Sequence, residues 1–125
     1  MTLPSTSPKT DAEVAVREAV AAILDTKGDD VRVRDLHAVG AFTDWFVLAS
    51  GYSDRQVQAI ADRVEERLRG LGRRPLDIEG HAVAQWVLLD YGDLLVHVFL
   101  EERRRFYGLE RLWSDAPDRT DEFLP

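Results

Sequence analysis

The chain has 125 residues, a net charge of −7 at pH 7 and no cysteine. That length fits one domain with a real core; the missing cysteines exclude disulfides and thiolate metal sites. The acidic balance argues against affinity gained by neutralising many phosphates and favours a basic partner. No apolar run approaches the roughly 20 residues that span a bilayer, so no membrane span is expected. Met1 to Lys9 are polar and rich in Pro, Ser and Thr, without the basic and apolar regions of a secretory signal. They read as a disordered tail (1–9), and the cytoplasm is the expected location.

Thr10 with Glu13 forms a capping box that opens a helix. Val16, Val20, Ile23 and Leu24 follow at helical spacing, and Lys27-Gly28 supply the cation and left-handed residue favoured at a helix end. Over 31–36, Val31 and Val33 alternate with Arg32 and Arg34, which predicts a half-exposed strand near a sheet edge. Trp45 to Ala49 are continuously apolar, as in a strand buried on both faces. Ser53 with Gln56 caps a second helix with Val57, Ile60, Ala61, Val64, Leu68 and Leu71 as its apolar stripe; Gly70, Gly72 and Pro75 end it. A short strand is expected within 75–79. Strands at 86–89 and 94–100 are joined through Asp90-Tyr91-Gly92-Asp93, a hairpin turn signal. A last helix from Glu101 toward Leu112 would turn Phe106, Leu109 and Leu112 or Trp113 inward. Residues 114–125 are acidic and contain Pro, and read as a flexible tail after one domain at 10–113. The order implies an α/β domain, a mixed sheet of about five strands with helices packed on it.

Several clusters could carry chemistry. The Ala49 to Asp54 junction could hold a phosphate at free helix N–H groups, but Ser53 already caps the helix and Asp54 adds negative charge. Asp77 and Glu79 would share one side of a strand, as the Mg²⁺ carboxylates of nucleotidyltransferases do. Asp77 lies beyond a full helix after Gly51 and Ser53, too far for that motif, and no Lys follows to hold phosphates. A nucleotidyltransferase-like, metal-dependent enzyme using Asp77, Glu79 or Asp90 is therefore the alternative reading, not the leading one. His37, His81 and His97 are scattered, so no metal site is expected; His97 reads as a hydrogen-bonded core or interface residue. Arg103 to Arg105 beside Phe106 and Tyr107 could touch RNA, but consecutive arginines fan around a helix and Glu101 and Glu102 offset them. Trp86 and Tyr91 among acidic residues suggest a protein-binding patch.

Three stretches together resemble the Iojap/ribosomal silencing factor family. They are Thr43 to Val57 with its Ser-Asp-Arg-Gln helix start, Glu79-Gly80, and Trp86 to Asp93 followed by Val96 to Phe99 and Tyr107 to Trp113. The resemblance covers about residues 11–113. It implies a relative of the nucleotidyltransferase fold without the catalytic residues, no cofactor and no turnover. It also implies a regulator that binds the large ribosomal subunit through ribosomal protein L14 at the intersubunit face. There it blocks joining of the small subunit and lowers translation under nutrient limitation. A homodimer in isolation and little direct RNA contact are implied as well. The binding surface carried over centres on Trp86, Asp90, Tyr91, Gly92 and Asp93, with Glu79 and Tyr107 nearby. Tyr52 stands where the family has small residues, and Gly108 where it has a better helix former.

Overall fold

A computed structural model describes residues 11–125. The expected tail at 1–9 and the Thr10 cap lie outside them. The elements run α1 (Asp11–Asp25), β1 (Asp29–Asp35), β2 (Trp45–Gly51), α2 (Asp54–Arg69), β3 (Asp77–Glu79), β4 (Trp86–Asp90), β5 (Leu94–Leu100), α3 (Glu101–Tyr107) and α4 (Leu109–Leu112). The strands form one sheet in the order β1-β2-β5-β4-β3. Only β2 and β5 pair in parallel, and the other neighbours are antiparallel. The expected mixed sheet of five strands is thus the architecture, with β1 at one edge.

The two faces of the sheet are filled differently. α1 and α2 cover one face, packing Val16, Val20, Ile23, Val57, Ile60, Val64 and Leu68 onto Val33, Val47, Val87, Leu89, Val96 and Val98. Leu36, Phe46, Leu48, Leu95, Phe99 and Ala116 form a second cluster, with Trp86, Leu88, Tyr107, Leu109 and Trp113 partly buried against it. β2 contributes to both clusters and is buried along its whole length, as its unbroken apolar run predicts.

Local chemistry explains the element ends. Ser53 Oγ accepts from Gln56 N at 3.1 Å. Gln56 Oε1 reaches back to Tyr52 N at 2.7 Å rather than to Ser53 N, so the box spans one residue more than expected. Tyr52 donates its hydroxyl to Asp29 Oδ2 and ties the end of β2 to the start of β1. At the end of α1 it is Lys27, not Gly28, that takes the left-handed conformation (φ 63°), while Gly28 N closes onto Ile23 O at 2.8 Å.

Three expectations are corrected. Leu24 and Leu71 are exposed at 37% and 42% rather than buried, Leu71 lying past the end of α2. The single last helix is two short ones, because Gly108 adopts φ 67° and ends α3. That break turns Phe106 and Leu112 outward and leaves Tyr107, Leu109 and Trp113 on the sheet. Residues 114–125, expected as a flexible acidic tail, pack along β1: Arg119 N donates to Val33 O, Asp35 N to Pro117 O, and Val33 N to Thr120 Oγ1. Phe123 is buried in the α1–α2 cluster, its ring edge-on to Trp45 at 5.6 Å. The free edge of β1 supplies the hydrogen bonds that hold this segment.

Candidate protein-binding face

β4 distributes the expected site residues by simple alternation. Val87, Leu89 and Tyr91 belong to the α1–α2 cluster, whereas Trp86 and Leu88 lie on the opposite face. Asp90 shares that second face by the same alternation. Antiparallel pairing sets Asp77 opposite Asp90, and Glu79 opposite Leu88, and so brings both β3 carboxylates to the same side. The open face of the β3–β4 ribbon therefore presents Asp77, Glu79, Leu88 and Asp90, with Trp86 at its end.

Trp86 is half-buried in a nest of rings. It stacks on Phe99 with centroids 5.2 Å apart and meets Tyr107 at 4.7 Å. Its indole Nε1 donates to His97 Nδ1 at 3.1 Å. Burial drives the His97 pKa down to about 3, so the imidazole stays neutral. Tyr107 reaches Trp86 because Gly108 stops α3 just behind it. At the same end of the ribbon, Gly80 (φ 81°) lets the backbone of 79–80 close against Trp86: a Cβ there would meet the Trp86 carbonyl oxygen at 2.1 Å.

The carboxylates repel one another. The neighbouring Asp77 carboxyl, with smaller contributions from desolvation and the Asp90 charge, raises the Glu79 pKa. Such a ribbon attracts cationic side chains. Among the described residues no group of three or more His, Asp or Glu side chains is arranged to hold a metal ion.

The turn separates the remaining expected residues from this face. Tyr91 is 6% exposed in the α1–α2 cluster, with the Arg73 guanidinium 5.9 Å from its ring centroid. Burial, with help from the nearby Glu65 charge, pushes its hydroxyl pKa up to about 12. Asp90 Oδ1 accepts from Gly92 N at 2.8 Å, and the Gly92 carbonyl accepts from Thr43 Oγ1 at 2.9 Å. Asp93 is paired with Arg73 at 2.6 Å. Gly92 and Asp93 hold the turn; Trp86, Asp90, Glu79 and Tyr107 lie on the second face with the partly buried cluster or beside it.

The arginine run divides as well. Arg104 is 6% exposed and donates to Ser50 Oγ (2.9 Å), the Asp30 carbonyl (2.7 Å) and Glu110 (2.9 and 3.2 Å). It pins α3 to the sheet. Sequence reasoning had no signal for this role, because Glu110 is six residues away across a helix break. It also missed Phe42, exposed and edge-on to both Phe46 (6.3 Å) and Trp113 (6.4 Å), which extends the aromatic surface beyond Trp86.

Comparison with known proteins adds a frame. A family model described as "Ribosomal silencing factor during starvation" matches residues 8–124. The ribosomal silencing factor of Bacillus subtilis is 40% identical over 99 residues, covering 79% of this chain and 84% of that protein. The crystal structure of a Chromobacterium violaceum protein superimposes with a TM-score of 0.81 at 34% identity, covering 84% of this chain and 88% of the other. A more distant mouse relative, named for mitochondrial assembly of the ribosomal large subunit, is 27% identical over 114 residues, covering 89% of this chain and 50% of its own length.

Proposed function

Since this chain belongs to the ribosomal silencing factor family, we propose that it binds the large ribosomal subunit through ribosomal protein L14. Bound at the intersubunit face, it sterically blocks joining of the small subunit and represses translation when nutrients are limiting. It acts in the cytoplasm by occupancy, without cofactor or turnover. The observation that carries this reading is the open β3–β4 face, where Glu79, Asp77 and Asp90 surround Leu88 and end at Trp86 and Tyr107. Acidic residues around an aromatic anchor suit a basic protein partner: opposite charge speeds encounter, and a large half-buried ring contributes most of the contact energy. The mouse relative's name supports the large subunit as the target. The net charge of −7 favours a protein contact over an RNA contact.

The test is co-sedimentation with isolated subunits, the small subunit added last. Binding to the large subunit alone, with a reduced joined-ribosome peak, is the expected result. Binding to neither subunit sinks the reading. An enzyme built on Asp77, Glu79 or Asp90 would instead be thermally stabilised by millimolar nucleotide and Mg²⁺.

A further inference from the structure

We propose that His97 is a positioning residue that fixes the Trp86 indole in the orientation presented to the large subunit, an inference that rests on the reading of Trp86 as a contact residue. Rings alone do not set that orientation. Phe99 and Tyr107 flank the indole with centroids 5.2 and 4.7 Å away. Those contacts constrain the plane of the ring but are tolerant of which edge faces inward. The hydrogen bond from Nε1 to His97 Nδ1, at 3.1 Å, selects one edge.

The tautomer follows from the partner. An indole N–H can only donate, so Nδ1 must accept, and the proton of the neutral imidazole sits on Nε2. Nε2 is buried and has no hydrogen-bond partner among the described residues. His97 thus carries a polar cost on a face where its cross-strand neighbours are Leu48 and Leu88 and its ring neighbours are Phe46 and Phe99. A leucine at 97 would suit those neighbours without leaving a donor stranded. The bond to Trp86 is the one thing the imidazole supplies that an apolar residue does not. A buried polar group retained at such a cost points to function rather than stability.

The experiment uses the full chain. Exchange of the Trp86 indole proton with water is followed by NMR, the resonance being assigned by its loss in Trp86→Phe. Melting and large-subunit affinity are measured alongside. In the wild type the proton is protected. His97→Leu speeds its exchange and weakens subunit binding, each by about tenfold, as expected for loss of one hydrogen bond. His97→Asn, whose Oδ1 stands near the Nδ1 position, restores both. In a Trp86→Phe background, His97→Leu changes affinity no further and does not lower the melting temperature. A merely structural histidine would instead lower it and weaken binding in both backgrounds. Unchanged protection in His97→Leu, or lost protection with unchanged affinity, overturns the proposal. If Trp86→Ala binds the subunit like wild type, the contact reading falls and the positioning role falls with it. The exchange data then still report the bond, so the two failures are told apart.

Discussion

Replacing Arg104 by Met removes a side chain that bonds α3 to β1, β2 and α4 together. Its guanidinium makes four hydrogen bonds, to Ser50, the Asp30 carbonyl and both carboxylate oxygens of Glu110. Methionine fills much of the volume but leaves Ser50 Oγ and the Asp30 carbonyl without that donor. Breaking a buried ion pair costs about 3–5 kcal/mol. Glu110 is 35% exposed and can rehydrate, so the expected loss is lower, about 2–3 kcal/mol. For a domain of this length each kcal/mol moves the midpoint by roughly 3–5 °C, which gives a fall of about 6–15 °C. Thermal unfolding by circular dichroism measures it. Arg104→Lys keeps the charge without the fork and should recover less than half of the loss. Arg103 and Arg105 have no ion pair among the described residues, and their exchange for Gln should leave the midpoint within about 2 °C. A midpoint for Arg104→Met within about 2 °C of wild type, or full rescue by Lys, would refute the role given to Arg104.

Glu79→Lys should raise stability and weaken large-subunit binding, because it relieves the repulsion with Asp77 and Asp90 yet reverses a charge on the proposed contact face; melting and salt-dependent binding check the two signs, and weakening of both would contradict the account. Phe123→Ala should cost about 2–4 kcal/mol in denaturant unfolding, since the ring fills a buried site against Trp45 and the Arg17 guanidinium. Chain removal after Ser114 should go further and cause self-association in sedimentation by baring the β1 edge. His37 is hydrogen-bonded to Asp35 at 2.6 Å and lies 3.7 Å from Asp44, and these interactions raise its pKa. A raised folded pKa stabilises fully below the ordinary histidine value and loses that contribution as pH climbs through the raised value. The wild type should therefore melt above His37→Gln at pH 5.5, with the gap closing by pH 8.5; a gap that widens with pH is incompatible with this pairing.

Where apolar periodicity was long and unbroken, the sequence was enough. α2, β2 and the β4–β5 hairpin lie where the stripe over 57–68, the run over 45–49 and the turn at 90–93 put them. The C-terminal segment was not legible, because Ala116, Thr120 and Phe123 have no period and their acidic neighbours resemble a solvated tail. What orders them is backbone pairing with β1, which side-chain patterning does not record. Gly108 stood out as a poor helix former, but whether it ends the helix was not legible for a related reason: one glycine in a helical pattern is tolerated or terminating according to its φ. The candidate face was only half legible. Trp86 and Tyr91 are five residues apart on an extended stretch, so they fall on opposite faces; that odd spacing was the available signal. The bond from Trp86 to His97 runs diagonally between the neighbouring strands β4 and β5 and depends on register, which the residues alone do not specify.

The most direct test of the central claim is amide hydrogen exchange of the protein, free and bound to the isolated large subunit. The account predicts that binding slows exchange in β3, β4 and the α3–α4 segment while α1 and α2 are unchanged. Protection concentrated on α1 and α2, with β3 and β4 unaffected, would contradict it.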